Sequence, residues 1–483
     1  MAARTSRGTD RKLPRTIYAQ ASPTSVGGTS LFATKKPISG KTVAGFRSER
    51  RVTRRAVERL RRAGFKVLQV SDVTINIAGS ASLYERTFKT KLVTQDRTVL
   101  KERRKREKAT YIDSADTDVR GLIDTSQSPL ADVVEGVAIE EPAYYHAAPL
   151  AFAPTKKYWH LEVPGDISLG VNADRVHRDG ISGLGVKLVM VDTGWYRHPY
   201  FTQRGYRSAP VELGPGATSP QNDESGHGTG ESANAFAAAP DIEFTMVKNR
   251  NVSSIGAFNH AVSLGPDVIS CSWGYDIPQG PLPALLQALA AAVAQAVASG
   301  IVVVFSAGNG HYGFPGQHPD VISAGGVYMK PDGTLRASNY SSGFPSQVYP
   351  GRKVPDVSGL VEQQPLDAYI MLPLQPGDEI DVGSSGGDHP QGDETKPNDG
   401  WAAFSGTSAA APQVAGVCAL VKEACPTLSP ADVRDVLKQS ARDVTEGKNL
   451  HGEEAGTGYD LATGAGLVDA HEAVERAKQL CGP

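Results

Sequence analysis

Residues 185–194, Gly-Val-Lys-Leu-Val-Met-Val-Asp-Thr-Gly, decide the predicted fold of this chain. The run from Gly185 to Val191 is almost entirely apolar, which is typical of a strand buried on both faces of a parallel sheet. Asp192 follows it directly, at the carboxyl end of the strand, where open α/β sheets place ligands and chemistry. The stretch therefore predicts an α/β protein with a polar site at its strand ends.

Further apolar runs alternate with helical patterns along the second half of the chain. Strands are predicted over residues 242–247, 267–272 and 301–305, with helices over 252–264 and 283–298 between them. Such alternation indicates a parallel sheet, because each crossover helix packs on a face of the sheet. The sequence therefore predicts an α/β fold with a doubly wound, mostly parallel sheet.

The composition, with 40% hydrophobic and 21% charged residues in a chain of 483, is that of a soluble globular protein with room for two domains. The uncharged stretch 282–308 is long enough to cross a membrane. Ser299 and Gly300 divide it into a predicted helix and a predicted strand, so we expect no membrane span.

Two further motifs carry residues suited to nucleophilic catalysis. His227 lies in Ser-Gly-His-Gly-Thr-Gly, residues 225–230, where the glycines leave room for a substrate beside the imidazole. Ser408 lies in residues 404–412, Phe-Ser-Gly-Thr-Ser-Ala-Ala-Ala-Pro, at the start of an apolar helix. The N–H groups of a first helical turn favour an oxyanion beside such a serine. The order Asp192, His227, Ser408 is one of the known orders of a Ser-His-Asp triad.

With these motifs, residues 155–478 resemble the subtilases, the subtilisin-like serine peptidases. The resemblance implies that the three residues form a catalytic triad that hydrolyses peptide bonds through an acyl-enzyme, with no cofactor required. It adds a fourth motif, Val-Phe-Ser-Ala-Gly-Asn-Gly at residues 304–310. There the side chain of Asn309 is expected to complete an oxyanion hole with the backbone N–H of Ser408.

The resemblance also implies a strand that pairs with an extended protein or peptide substrate. The residues expected to bind substrate are Ser272, Trp273, Gly274, Ala307 and Gly308. Main-chain pairing of this kind gives affinity with little demand on the substrate sequence. For Trp273, ordinary packing in the core is the alternative.

Each motif alone has a structural interpretation, as a turn after a strand, a glycine-rich loop or a helix N-cap. All of them in this order, on the expected elements, favour catalysis. The alternative is a catalytically silent binding protein with a subtilase fold. The triad positions carry no substitution that would favour it.

Charge divides the chain unevenly. Residues 1–110 contain 27 Lys and Arg against 8 Asp and Glu by count, although the whole chain has a formal net charge of −2. The basic part is therefore expected to dock on the acidic remainder or to bind something acidic. The predicted divisions are a flexible basic tail, a prodomain-like domain, a linker and the peptidase domain, over residues 1–48, 49–146, 147–157 and 158–483.

The N-terminal part resembles the small α/β prodomains of subtilases, with a helix near 49–63 followed by two strands and a helix that begins after Ser80. Residues 73–92 are also similar to prodomains of the related sedolisins. The resemblance implies an intramolecular chaperone and inhibitor whose tail, near residues 144–148, lies in the cleft. Recruitment of a substrate or partner is the alternative role.

Two polar segments have more than one interpretation. The basic run 101–108 is a solvated loop, a processing site or a nucleic-acid contact, and it lacks the interleaved aromatic residues that would favour nucleic acid. The insertion 378–399 is rich in Gly and Asp. It forms either a flap beside the cleft or a calcium site, although its spacing matches no EF-hand loop.

The four cysteines and the N-terminus bear on the compartment. Cys271 and Cys418 lie in apolar segments and are predicted to be buried thiols, whereas Cys425 and Cys481 could pair or stay free. The first forty residues have no apolar core of a signal peptide, which predicts a cytoplasmic protein or export by a non-classical route.

Overall fold

The computed structural model describes residues 13–100, 106–145, 160–250, 252–364, 369–387 and 392–482. It contains an N-terminal unit, residues 13–145, and a larger C-terminal unit, residues 160–482. The elements of the N-terminal unit are β1 (Ile17–Pro23), α1 (Arg50–Ala63), β2 (Lys66–Val70), β3 (Ile75–Gly79), α2 (Ala81–Phe88), β4 (Leu92–Leu100), β5 (Arg106–Ser114), β6 (Leu122–Ile123), β7 (Val134–Ile139) and β8 (Tyr144–Tyr145).

The N-terminal unit is an antiparallel sheet of order β2-β3-β1-β7-β6 with two helices on one face. Helix α1 ends at Gly64, which is left-handed with φ +106°, close to the predicted end near residue 63. Ser80 accepts from the Leu83 N–H and caps α2, which begins after it as predicted. Leu60 and Tyr84 from the two helices join alternate residues of the strands, such as Ile77, in one core.

One domain boundary needs correction. The sequence predicts a flexible tail over residues 1–48, but Ile17–Pro23 forms the middle strand of the sheet, between β3 and β7. All of its residues except Tyr18 are buried, and the apolar Ile17, Ala19 and Ala21 occupy alternate positions. This alternation of mostly small residues is a weak signal, and the strand forms because tertiary pairing is available on both of its edges. Residues 1–12 lie outside the described residues.

The C-terminal unit contains β9 (Leu161–Glu162), α3 (Gly165–Gly170), α4 (Ala173–Arg178), β10 (Lys187–Asp192), α5 (Pro199–Gln203), β11 (Glu212–Leu213), α6 (His227–Ala238), β12 (Glu243–Lys248), α7 (Ser254–Ser263), β13 (Val268–Cys271), β14 (Trp273–Asp276), α8 (Ala284–Ala298), β15 (Val302–Ser306), β16 (Gly313–Phe314), β17 (Ile322–Met329), β18 (Leu335–Ala337), β19 (Phe344–Pro345), β20 (Lys353–Val354), β21 (Val357–Leu360), β22 (Ile370–Pro373), α9 (Glu379–Ser384), β23 (Trp401–Phe404), α10 (Thr407–Ala424), α11 (Pro430–Ser440) and α12 (Ala470–Cys481).

The predicted α/β fold with a doubly wound, mostly parallel sheet is confirmed. The main sheet has the order β11-β12-β10-β13-β15-β17-β18, and β12, β10, β13, β15 and β17 are parallel neighbours. Strand β10 is buried on both faces: Leu188 and Met190 join the core on one side, and Val189 and Val191 join the core on the other. Residues on both faces of this strand pack in a core, so the strand needs apolar residues at nearly every position.

The uncharged stretch near residue 290 folds as the helix α8 and the strand β15, as predicted. In the parts of the chain that the structure describes, no helix is both long enough and apolar enough to cross a membrane.

A disulfide joins Cys425 to Cys481, which ties the end of α10 to the end of α12. Cys271 and Cys418 are buried thiols, as predicted. Helix α10 begins at Thr407, next to Ser408, so the crosslink anchors the opposite end of the helix that carries this serine.

The two units meet through apolar packing and hydrogen bonds, some of which include a charged group, as between Arg47 Nε and Gln295 Oε1 over 2.6 Å. Phe32 and Phe46 share one apolar cluster with Leu285 of α8, and Asn76 donates to the Ser253 hydroxyl over 2.7 Å. Other cations of the N-terminal unit, such as Arg55 and Arg59, pair inside it with Asp132. These contacts give electrostatic docking of the basic part little support, and it stays a prediction.

We expect Phe32→Ala in the full chain to lower the free energy of unfolding by about 3 kcal/mol, because the ring packs on β7 and joins the shared cluster. Urea unfolding checks this, with the exposed Val26 changed to Ala as the control. Equal midpoints for the two variants would show that the shared cluster does not hold the units together.

Candidate active site

Asp192 is the last residue of β10 and lies at the carboxyl edge of the main sheet, where its side chain is 0% exposed. Its Oδ1 accepts a hydrogen bond from the Thr193 N–H over 2.7 Å. The same oxygen lies 2.7 Å from Nδ1 of His227. A carboxylate at this position holds the imidazole in the tautomer that leaves Nε2 as the basic nitrogen.

His227 is the first residue of α6. Gly226 caps the helix with φ +84°, a left-handed conformation that favours glycine. A side chain at Gly226 would also collide with the Asp378 carboxylate. The glycine therefore meets two local requirements, and the room for a substrate beside the imidazole stays a prediction.

The polar insertion lies directly against the turn that precedes His227. Asp378 is the N-cap residue of α9, and its Oδ1 accepts from the Asp381 N–H over 2.8 Å. The N–H of Glu379 donates to the Glu224 carbonyl over 3.1 Å, and that of Ile380 donates to the Ser225 carbonyl over 3.3 Å. The insertion thus supports the histidine turn.

Ser408 is the second residue of α10 and is completely buried. Its Oγ donates to the Ser272 carbonyl over 3.3 Å, and the Ser272 Oγ donates to the Ser408 carbonyl over 2.9 Å. Ser272 follows Cys271, which pairs with Val191 in the neighbouring strand. Ser408 therefore lies at the same edge of the sheet as the Asp192–His227 pair.

Asn309 lies beside the turn that carries Ser408. Its Oδ1 accepts from both the N–H and the hydroxyl of Thr407, over 3.0 and 2.9 Å. Two donors on the carbonyl oxygen fix the orientation of the amide and direct its NH₂ group away from Thr407. This geometry suits the predicted oxyanion donor, although the role itself stays a prediction.

The predicted substrate strand is β14, which follows Ser272. Its Trp273 and Gly274 pair antiparallel with Tyr145 and Tyr144 of β8. The Trp273 side chain is fully buried and donates from Nε1 to the Val191 carbonyl over 2.9 Å. Its ring therefore packs in the core, while its backbone belongs to the pairing edge.

Ala307 and Gly308 make their backbone hydrogen bonds inside the protein. The Ala307 N–H donates to Ala324, and the Gly308 N–H donates to the Thr407 hydroxyl over 3.2 Å. The Gly308 carbonyl accepts from the Ser342 N–H over 2.8 Å. Their contact with substrate stays a prediction.

Sequence reasoning missed two buried carboxyl groups near the histidine and the nucleophile turn. Glu231 lies one helical turn after His227, and its Oε1 is 3.9 Å from Nε2 of the imidazole. The backbone N–H of Glu362 donates to the Ser405 hydroxyl over 3.2 Å. Burial raises the pKa of each carboxyl to about 8. An acidic residue four positions after His227, in a helix of small residues, was a usable signal, whereas Glu362 had none.

The acidic side chains of the insertion serve local structure. Asp381 accepts from the N–H groups of Gly377 and Asn398, over 2.6 and 2.9 Å, and Asp393 accepts from Thr395. Within the described ranges, no group of three or more His, Cys, Asp or Glu side chains is arranged to hold a metal ion. The calcium site therefore has no geometric support, and it stays a prediction.

Comparisons with known proteins identify the family of this chain. A family model described as the subtilase family matches residues 183–466. The chain is 29% identical to Subtilisin E of Bacillus subtilis (strain 168) over 303 residues, 58% of this chain and 66% of that protein. It is also 29% identical to Subtilisin of Bacillus pumilus, covering 91% of that protein. The chain thus spans just under two thirds of the length of Subtilisin E.

A solved structure described as fervidolysin from Fervidobacterium pennivorans, a keratinolytic enzyme related to subtilisin, is similar with a TM-score of 0.56. That likeness covers 100% of this chain and 62% of the other chain at 18% identity, and it supports the fold alone.

We expect Gly226→Ala to disturb the site more than Gly180→Ala. Both glycines have φ +84°, but a side chain at Gly180 enters open space, whereas one at Gly226 meets Asp378. Gly180→Ala should cost about 1–2 kcal/mol of unfolding free energy from backbone strain alone. Gly226→Ala should cost roughly twice that and slow labelling of Ser408 by a fluorophosphonate. Indistinguishable variants, in urea unfolding and labelling, would exclude the contact with Asp378.

Proposed function

The chain belongs to the subtilase family of subtilisin-like serine peptidases, and we propose that it is a serine endopeptidase made as a self-inhibited, self-processing precursor. The observation that carries the endopeptidase proposal is the Asp192–His227 hydrogen bond at the sheet edge that also holds Ser408. The proposed reaction follows from the family assignment, and the argument for self-inhibition follows from the position of the N-terminal unit.

In the proposed reaction, Ser408 Oγ attacks the substrate carbonyl while Nε2 of His227 takes its proton. Asp192 stabilises the imidazolium, which then returns the proton to the leaving amine. The Asn309 amide and the Ser408 N–H donate to the oxyanion. Water hydrolyses the acyl-enzyme by the same route, and each proton transfer uses a group of the chain.

The pairing of β8 with β14 supports self-inhibition. Residues 144–145 leave the N-terminal unit and lie antiparallel against Trp273 and Gly274, the edge expected to pair with an extended substrate. A segment that occupies this edge competes with a substrate for the same backbone groups. The continuation of the predicted tail, from His146, lies outside the described residues.

The Cys425–Cys481 disulfide bears on the compartment. Structural disulfides persist in oxidising surroundings and are rare in the cytosol. Of the two locations that the sequence leaves open, the crosslink supports export by a non-classical route.

We expect Ser408→Ala to prevent cleavage of the full chain between the N-terminal and C-terminal units, because self-processing needs the nucleophile. Mass spectrometry of purified protein measures it, and the exposed Ser299 changed to Ala serves as the control. Cleavage that persists in Ser408→Ala would rule out self-processing. If the wild-type C-terminal unit, freed of residues 1–145, is not labelled by a fluorophosphonate at Ser408, the chain is instead the catalytically silent binding protein.

Glu140, at the contact between the two units, should make the free energy of unfolding dependent on pH. Its Oε1 accepts from the Ser253 hydroxyl over 3.0 Å and from Gln20 over 3.2 Å, and burial raises its pKa from 4.5 to about 7. The folded state therefore binds the proton more tightly than the unfolded state. Stability from this group is complete below about pH 4.5 and is lost as the pH rises to about 7.

We therefore expect Ser408→Ala protein to lose more unfolding free energy between pH 5 and pH 8 than the same protein with Glu140→Gln. The difference should reach about 3 kcal/mol, because Gln mimics the protonated carboxyl at every pH. Urea unfolding at both pH values measures it. Equal losses would show that Glu140 does not titrate with folding.

A further inference from the structure

The imidazole of His227 lies between two carboxyl groups. Asp192 contacts Nδ1 at 2.7 Å, and Glu231 approaches Nε2 with Oε1 at 3.9 Å. The side chain of His227 is 2% exposed and both carboxyl side chains are 0% exposed, so water does not screen these contacts. The triad described above uses only the first of the two carboxyl groups.

A network of uncharged side chains holds Glu231 in place. Its Oε2 accepts from Asn234 Nδ2 over 3.0 Å, and Asn234 Oδ1 accepts from Gln413 of α10 over 3.1 Å. Gln413 in turn bonds both the N–H and the carbonyl of Leu360, over 2.7 and 3.0 Å. The network fixes one oxygen of Glu231. Among the described residues, the other oxygen, Oε1, is buried without a hydrogen-bond partner.

We propose that Glu231 is a positioning residue of the peptidase reaction, whose carboxylate stabilises the His227 imidazolium from the Nε2 side. The inference rests on the proposed function. The proton passes from Ser408 Oγ to His227 Nε2 and then to the leaving amine, and Glu231 accepts no proton in this sequence. It acts through the charge that it places beside the imidazole.

The charged groups around Glu231 decide when it carries that charge. Burial is the main cause that raises its pKa to about 8, the positive form of His227 lowers it, and Asp192 and Glu362 raise it. Those groups come from α6 itself, from the end of β10 and from the segment after β21. Because His227 and Glu231 interact closely, they release their protons in two steps that belong to the pair.

This coupling predicts a two-step dependence on pH. Above the second step, near pH 8, the carboxylate raises the proton affinity of His227, by about tenfold or more for an opposite charge at this distance. The histidine becomes a stronger base, and Ser408 becomes more reactive. A purely structural role for Glu231 would change the rate by the same factor at every pH.

The kinetic test measures the rate of fluorophosphonate labelling at Ser408 from pH 5 to pH 10, with enzyme matured from the full chain. Wild type should rise in two steps, the second about tenfold, and Glu231→Gln should rise once, to a lower plateau. Glu362→Gln should shift the second step to lower pH, because it removes a carboxyl that raises the Glu231 pKa. Exposed Glu243→Gln is the matched control and should reproduce the wild-type profile.

A second measurement needs no activity. In the full chain with Ser408→Ala, the ¹⁵N shift of His227 Nε2 should titrate in two steps, and the later one should disappear on adding Glu231→Gln. A single step in the first protein, or two steps that survive Glu231→Gln, would overturn the inference. If the Gln variant does not fold, Glu362→Gln decides: a later step that does not move is the contradicting result. Wild-type enzyme that never labels, with two-step shifts intact, would instead refute the proposed function alone.

Discussion

The hydrogen bond between Asp192 and His227 sets the geometric constraint that the architecture around the site has to meet. It forms only if a fully buried strand ends at the aspartate and a helix begins at the histidine. The parallel sheet meets the first condition by placing strand ends at one edge. The left-handed turn at Gly226, supported by the insertion that begins near Asp378, meets the second.

Much of this could be predicted from the sequence because the signals are local. The apolar run before Asp192 required two packed layers, and β10 has them. The start of α6 at His227 was not predicted, because glycines in the sequence favour a loop. The helix begins there because tertiary contacts satisfy its first N–H groups: Gly228 donates to the Thr193 hydroxyl, and Thr229 donates to the Asp223 carboxylate, each over 2.8 Å. Glu362 left no local pattern, since its burial results from elements that are distant in the chain.

The N-terminal unit illustrates the same limit. Its helices and their caps follow from sequence periodicity and from Gly64 and Ser80, but β1 does not, because its alternating residues are mostly small. The strong positive charge of this region suggested electrostatic docking. In the structure its interface combines aromatic packing with partly buried polar groups such as Glu140, and electrostatic docking stays a prediction. Charge counted along a sequence does not reveal which face of a domain is turned toward its partner.

The most direct measurement of the central claim is the proton on Nδ1 of His227, observed by NMR in the full chain with Ser408→Ala. A 2.7 Å bond to a buried carboxylate predicts a strongly downfield resonance that exchanges slowly with water and disappears in Asp192→Ala. A spectrum without that resonance at any pH, or one in which it survives Asp192→Ala, would contradict the account of the site.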